Sequence, residues 1–103
     1  MDALPIQEET GLPFQSEVDG VSHACGHDIH TAIALYCGRI LNERKEELAG
    51  NVRIVFQPAE ETGQGAREMM EAGFKKLSPA NDIVVGLHTH PETPVGMISL
   101  REG

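Results

Sequence analysis

Residues 28–58 read DIHTAIALYCGRILNERKEELAGNVRIVFQP, and the fold turns on this stretch. Ile29, Ala32, Ile33, Tyr36, Ile40 and Leu41 recur three and four residues apart, so the spacing predicts a helix over Asp28–Leu48 with these residues on one face. Asn42 to Glu47 make its last turns polar, and Gly50 is a natural stop. NVRIVFQ, residues 51–57, is a β-branched and aromatic run closed by Pro58, which reads as a strand. Further on, Ala66, Met69, Met70 and Phe74 predict a second helix over Gly65–Phe74. DIVVGLH at 82–88 and VGMISL at 95–100 read as two more strands. Upstream, Met1 to Gly20 is loop-like, punctuated by Pro5, Gly11, Pro13 and Gly20.

Helix, strand, helix, strand with short joints predicts an α/β domain with a mostly parallel sheet. The helix between Gln57 and Asp82 supplies the crossover that parallel neighbours need. Only six residues separate His88 from Val95, which is short for a crossover, so that last pair is expected to be antiparallel. Met1–Pro5 begin without a preceding strand and Glu102–Gly103 end without a closing helix, so the chain reads as part of a larger domain.

Composition narrows the function. The chain has 103 residues, with 16 acidic against 8 basic ones and a formal charge of −8. That sign opposes a polyphosphate partner, so nucleic-acid binding is not expected. No stretch approaches the roughly 18 apolar residues of a membrane span, and no basic-then-apolar start marks a secretion signal. Cys37 falls about 14 Å along the predicted helix from its start, too far from Cys25 for a disulfide. A reducing, cytoplasmic setting fits these two cysteines.

All five histidines fall in two short segments, SHACGHDIH (22–30) and GLHTHP (86–91). Cys25 and His27 sit two residues apart at the entry to the long helix, and thiolate and imidazole both suit zinc and its neighbours. Alone, this pair reads equally as a buried cysteine followed by the helix-start residues His27 and Asp28. Glu60 and Glu61 follow the 51–57 strand in FQPAEE. Adjacent carboxylates repel unless a cation or solvent offsets them, and a solvated loop is their ordinary fate. His88 closes the 82–88 strand. In parallel α/β sheets such carboxyl ends form the ligand rim, so Glu60, Glu61 and His88 are expected together there, within reach of Cys25 and His27. A metal centre explains with one cause what otherwise needs three coincidences.

Taken together, MDALPIQEE, SHACGHDIHTA, FQPAEE and GLHTHP resemble the metal-dependent amidohydrolases of the aminoacylase and carboxypeptidase G metallopeptidase family. That family includes hippurate and auxin-conjugate hydrolases, which cleave N-acyl amino acids. The resemblance implies a three-layer α-β-α, zinc-exopeptidase-like catalytic domain, of which residues 1–103 are the N-terminal part. The lid and dimerisation domain and a late histidine ligand are expected to lie beyond these residues, and the complete enzyme is expected to be a homodimer. It also implies two divalent ions, with zinc, manganese, cobalt and nickel all suited to the donors. Cys25 would bridge both ions, His27 and His88 would bind one, and Glu61 the other. Glu60 would be the general base, and Asp2 a carboxylate that orients a ligand from behind.

The implied chemistry is hydrolysis of a small N-acyl amino acid or peptide-like amide by a water acidified between two cations, with Glu60 taking its proton. Two other readings stand beside it. In one, the chain is a non-catalytic metal-binding fragment of such an enzyme. In the other, Cys25 is a nucleophile with His27 or His23 as base, which leaves Glu60, Glu61 and His88 without a role. His23, His30 and His90 read either as cleft-lining residues or as ordinary surface histidines. Met69, Met70 and Cys37 read as core filler.

Overall fold

Gly26 sets the main element in motion. Its φ of 74° is the left-handed conformation that glycine adopts without penalty, and its carbonyl accepts the first helical bond, from the His30 amide at 3.0 Å. The computed structural model describes residues 2–100; Met1 of the MDALP motif and Arg101–Gly103 at the chain end lie outside the described residues. From Gly26 springs α1, His27–Glu43, followed by a 3₁₀ turn at Lys45–Glu47. Asp28 lies in its first turn, where a carboxylate complements the helix dipole. Near its end Arg39 pairs with Glu43 at 2.9 Å, and Arg44 forks onto Glu47. The second helix, α2, spans Gly65–Glu71 and is followed by a 3₁₀ turn at Phe74–Lys76. Both helices were expected; each ends a few residues early and tightens.

The face that α1 turns inward is not the expected one. Its half-buried residues are His27, His30, Thr31, Ala34, Gly38 and Leu41. Ile29, Ile33, Tyr36 and Ile40, expected on the apolar face, are exposed. The reason is steric: Gly38 admits Ile54 so closely that an added Cβ would lie 3.3 Å from its Cγ1. Small residues let the helix lie down on the 51–57 segment.

Asn51–Gln57, Asp82–His88 and Val95–Leu100, expected as strands, form no hydrogen-bonded ladder among the described residues, and the last of them opens in a turn at Val95–Gly96 closed by the Met97 amide on the Pro94 carbonyl. The first two nonetheless run beside one another under α1, where Ala34, Ile54, Val55 and Val84 line a common cavity. Arg53 ties their ends, donating to the Asn81 side chain at 2.7 Å and the Pro79 carbonyl at 3.3 Å. Sheet register is normally pinned by burying one face, and among the described residues no apolar side chain is buried. The radius of gyration, 16.5 Å, exceeds the roughly 13 Å of a closed domain of this length. The expected three-layer arrangement is not seen among the described residues, and the one pairing formed among them is an antiparallel bridge between Leu4 and Ser22.

Candidate metal centre

That bridge carries the N-terminus to the site. Leu4 and Ser22 exchange backbone hydrogen bonds at 2.8 and 3.0 Å, and the Ser22 hydroxyl donates to the Ile6 carbonyl. Ser22 is consequently buried. Two residues back, Asp2 projects its carboxylate at the loop that follows Pro58. Oδ1 accepts the Ala59 amide at 2.9 Å, and Oδ2 accepts the amides of Glu60 and Glu61. Partial burial alone would raise the Asp2 carboxyl; the amides of Glu61, Glu60 and Ala59 and the nearby His27 outweigh it and hold its pKa below the ordinary value. Asp2 was expected to orient a ligand side chain. Here its carboxylate holds the backbone amides of Ala59, Glu60 and Glu61.

The same loop is held from its far side. Ala59 has a φ of 46°, a sparsely populated region for a residue with a Cβ. Its carbonyl accepts the Gly65 amide at 3.2 Å. Gly65 has no room for a side chain, because a Cβ there would lie 1.6 Å from the Pro58 carbonyl oxygen. Glu60 and Glu61 are thus presented by a strained turn clamped between Asp2 and the start of α2.

Both carboxylates face His27, whose Nε2 lies 3.5 Å from Glu60 Oε2 and 3.5 Å from Glu61 Oε1. Their exposures differ: the Glu61 side chain is 29% exposed and that of Glu60 56%, while His27 is 13% exposed. On the other side, Cys25 Sγ lies 3.5 Å from His88 Nε2. Cys25, His27 and His88 present donor atoms within 4.8 Å of one another, and so do His27, Glu60 and Glu61. His27 belongs to both groups.

This donor set fits divalent cations. The Glu61 carboxylate, burial and the Glu61 and Glu60 charges together raise the Cys25 thiol above its ordinary value. A thiol and two carboxylates that oppose one another's charge are reconciled by a cation between them.

Around the ligands lie the other histidines. His88 Nδ1 is 2.6 Å from the Thr89 carbonyl, which can only accept, so Nδ1 carries the proton and Nε2 turns its lone pair to the site. His30 packs its ring 4.4 Å from that of His88, and its Nε2 accepts the Thr89 amide at 2.9 Å. Burial, then His88 and His27, push the His30 pKa down against the opposing pull of Asp28 and Glu60. His23 reaches the Asp2 carbonyl at 3.1 Å, whereas His90 serves its own turn by accepting the Glu92 amide at 3.3 Å. Thr89, Gly26 and Gly65 carry no chemical signature, and their contribution to the site was not expected from sequence.

A thiol, two imidazoles and two carboxylates converge here from three segments as two groups of donors that could hold metal ions. The family model for peptidase family M20/M25/M40 matches residues 1–103, and the chain belongs to that family. It is 52% identical to the N-acetylcysteine deacetylase of Bacillus subtilis (strain 168), over all of this chain and 26% of that protein. To the IAA-amino acid hydrolase ILR1-like 5 of Arabidopsis thaliana it is 47% identical, over all of this chain and 23% of the plant protein. The crystal structure of the Bacillus subtilis YXEP protein, a dinuclear metal binding peptidase from the M20 family, superposes with a TM-score of 0.91 at 52% identity. That match covers 99% of this chain and 28% of the other. The chain spans about a quarter of the length of the curated relatives it matches. Among the described residues no helix is long and apolar enough to cross a membrane.

Proposed function

We propose that this chain contributes the metal centre of a hydrolase that cleaves the amide bond of small N-acyl amino acids. The convergence of Cys25, His27, His88, Glu60 and Glu61 carries the reading. Family membership and the deacetylase and amino acid hydrolase relatives support the substrate class. Residues 1–103 are proposed as the N-terminal part of the catalytic domain, and the protein as a cytoplasmic homodimer; the free thiols of Cys25 and Cys37 suit a reducing compartment.

Cys25, His27, His88 and Glu61 are the residues that would hold two divalent ions, of zinc, manganese, cobalt or nickel, with Cys25 shared. Bound there, such ions supply Lewis acidity toward the amide carbonyl and a lowered pKa for water. The chain's own residues divide the rest. The lower exposure of Glu61 supports it as the ligand, and the higher exposure of Glu60 supports it as the base that would take the water's proton and return it to the departing amine. Asp2 keeps both glutamates aimed at His27 by holding their amides.

Titration with zinc or manganese tests the centre, alongside hydrolysis of N-acetylcysteine and a panel of N-acyl amino acids by the protein that contains this chain. Glu61→Gln is expected to lower metal occupancy, with activity partly restored by excess metal. Cys25→Ser is expected to weaken binding as well, since a hydroxyl is a far poorer ligand than a thiolate. Unchanged metal affinity in both variants would remove these residues from the site.

A further inference from the structure

We propose that His30 is a positioning residue for His88: by accepting the Thr89 amide it fixes the loop whose carbonyl sets the His88 tautomer, and so aims His88 Nε2 at Cys25. The inference rests on the metal-site reading above. It is carried by a continuous set of contacts. His30 Nε2 accepts the Thr89 N–H at 2.9 Å and lies 3.1 Å from the Thr89 hydroxyl. The Thr89 carbonyl accepts His88 Nδ1–H at 2.6 Å, and His88 Nε2 faces Cys25 Sγ at 3.5 Å. His30 stands one turn along α1 from His27, so the helix that supplies one imidazole also anchors the loop that supplies the other.

A second observation points the same way. At Gly26 an added Cβ would lie 2.6 Å from Thr89 Oγ1. The turn just ahead of His27 is therefore shaped to let Thr89 dock on the start of α1. The loop from Thr89 to Pro94 has little else to hold it near the site: its remaining bonds run from the Glu92 and Thr93 amides back to His90 and from the Met97 amide back to the Pro94 carbonyl. Without an acceptor at His30, nothing ties the Thr89 amide to the helix, and His88 loses the fixed carbonyl that orients its ring.

The test uses cobalt(II) as the probe, in the protein that contains this chain, reading affinity and the visible spectrum. His30→Gln places an amide oxygen near the position of Nε2 and keeps the acceptor; His30→Met keeps bulk and removes it. His30→Met is expected to weaken cobalt binding by about 10–100-fold, the usual cost of losing such support. Its d–d bands should move toward those of His88→Ala while the thiolate-to-cobalt band of Cys25 stays. His30→Gln should restore both affinity and spectrum. Parent-like binding by His30→Met would overturn the proposal, and so would equal losses in His30→Met and His30→Gln, which would mean that ring shape rather than the acceptor matters. If the unaltered protein took up no cobalt, the metal-site reading itself would fall, and this inference with it.

Discussion

Within one extended segment, Ile83, Val84 and Val85 are 81%, 83% and 87% exposed, while His88 and Thr89, three residues further on, are tied to partners about sixty positions away in sequence. The two regions are held by different physics. At the rim, direction matters: carboxylate to amide, imidazole to amide and imidazole to thiol each fix an angle as well as a distance. Such links assemble a site without a buried core around it. In the body, the valines and isoleucines need only area to cover, and area is what the described residues do not give them. Geometry at the rim is thus set by directional bonds, whereas the apolar residues of the body find no cover among the described residues, which span about a quarter of the relatives' length.

The largest effect should come from a change confined to the rim's chemistry. Glu60→Gln keeps shape and leaves Glu61 in place, so metal content should stay near normal. Amide hydrolysis should fall by about 10²–10⁴-fold, the usual value of general-base help. Metal analysis beside a rate measurement checks both halves, and loss of metal in Glu60→Gln with retention in Glu61→Gln would exchange the two roles.

Next comes the rim's support. Asp2→Asn leaves one oxygen and one nitrogen where two acceptors faced three amides, and metal affinity should drop by about 10–100-fold. The dependence on pH follows from the lowered pKa of Asp2. Its hold on the loop is complete above the ordinary carboxyl value of 3.8 and is lost as pH falls through the lower folded value. Asp2→Asn should remove that acid transition, which the chemical shifts of the Glu60 and Glu61 amides would report.

Smaller again, Gly65→Ala forces a Cβ against the Pro58 carbonyl. An overpacking cost of about 1–3 kcal/mol is expected, seen as a lowered Tm together with weakened metal binding, because the displaced backbone carries both glutamates. Smallest is Arg39→Ala, far from the rim. It removes an exposed i,i+4 pair with Glu43, worth about 0.3–0.5 kcal/mol, and should leave metal affinity untouched. A loss of metal binding in Arg39→Ala would erase the separation between rim and body.

The residues that meet at the rim could be picked out in the sequence because Cys25, His27, Glu60, Glu61 and His88 carry their chemistry in their side chains, and their donor atoms do lie together. Their supports were less legible: Asp2 was expected through the family resemblance alone, and His30 only as one of two readings. Asp2 and His30 act on backbone amides, which are the same at every position, and Gly26 and Gly65 act through the atoms they lack. The helices were legible for their spacing, yet the inward face of α1 was not. His27, Thr31, Ala34, Gly38 and Leu41 follow the same spacing as Ile29, Ile33, Tyr36 and Ile40, and hydrophobicity singles out the second row. At Gly38 the first row lets Ile54 approach closely, which a larger residue there would block. The three strand-like runs were legible as β-formers, but a ladder depends on what lies alongside, and that is not written in any one run.

The long spans across the rim also set an order of events during synthesis. Asp2 must wait for Ala59, 57 residues later, and Cys25 for His88, 63 residues later. Closing loops of this length costs entropy that grows only slowly with span, so the delay is one of emergence rather than of search. At about 5–20 residues per second the ribosome needs several seconds to pass from the first partner to the last. Throughout that interval Cys25 is an uncommitted thiol beside a half-built set of ligands. Any ion that reaches it before His88 has appeared meets a different coordination site from the finished one.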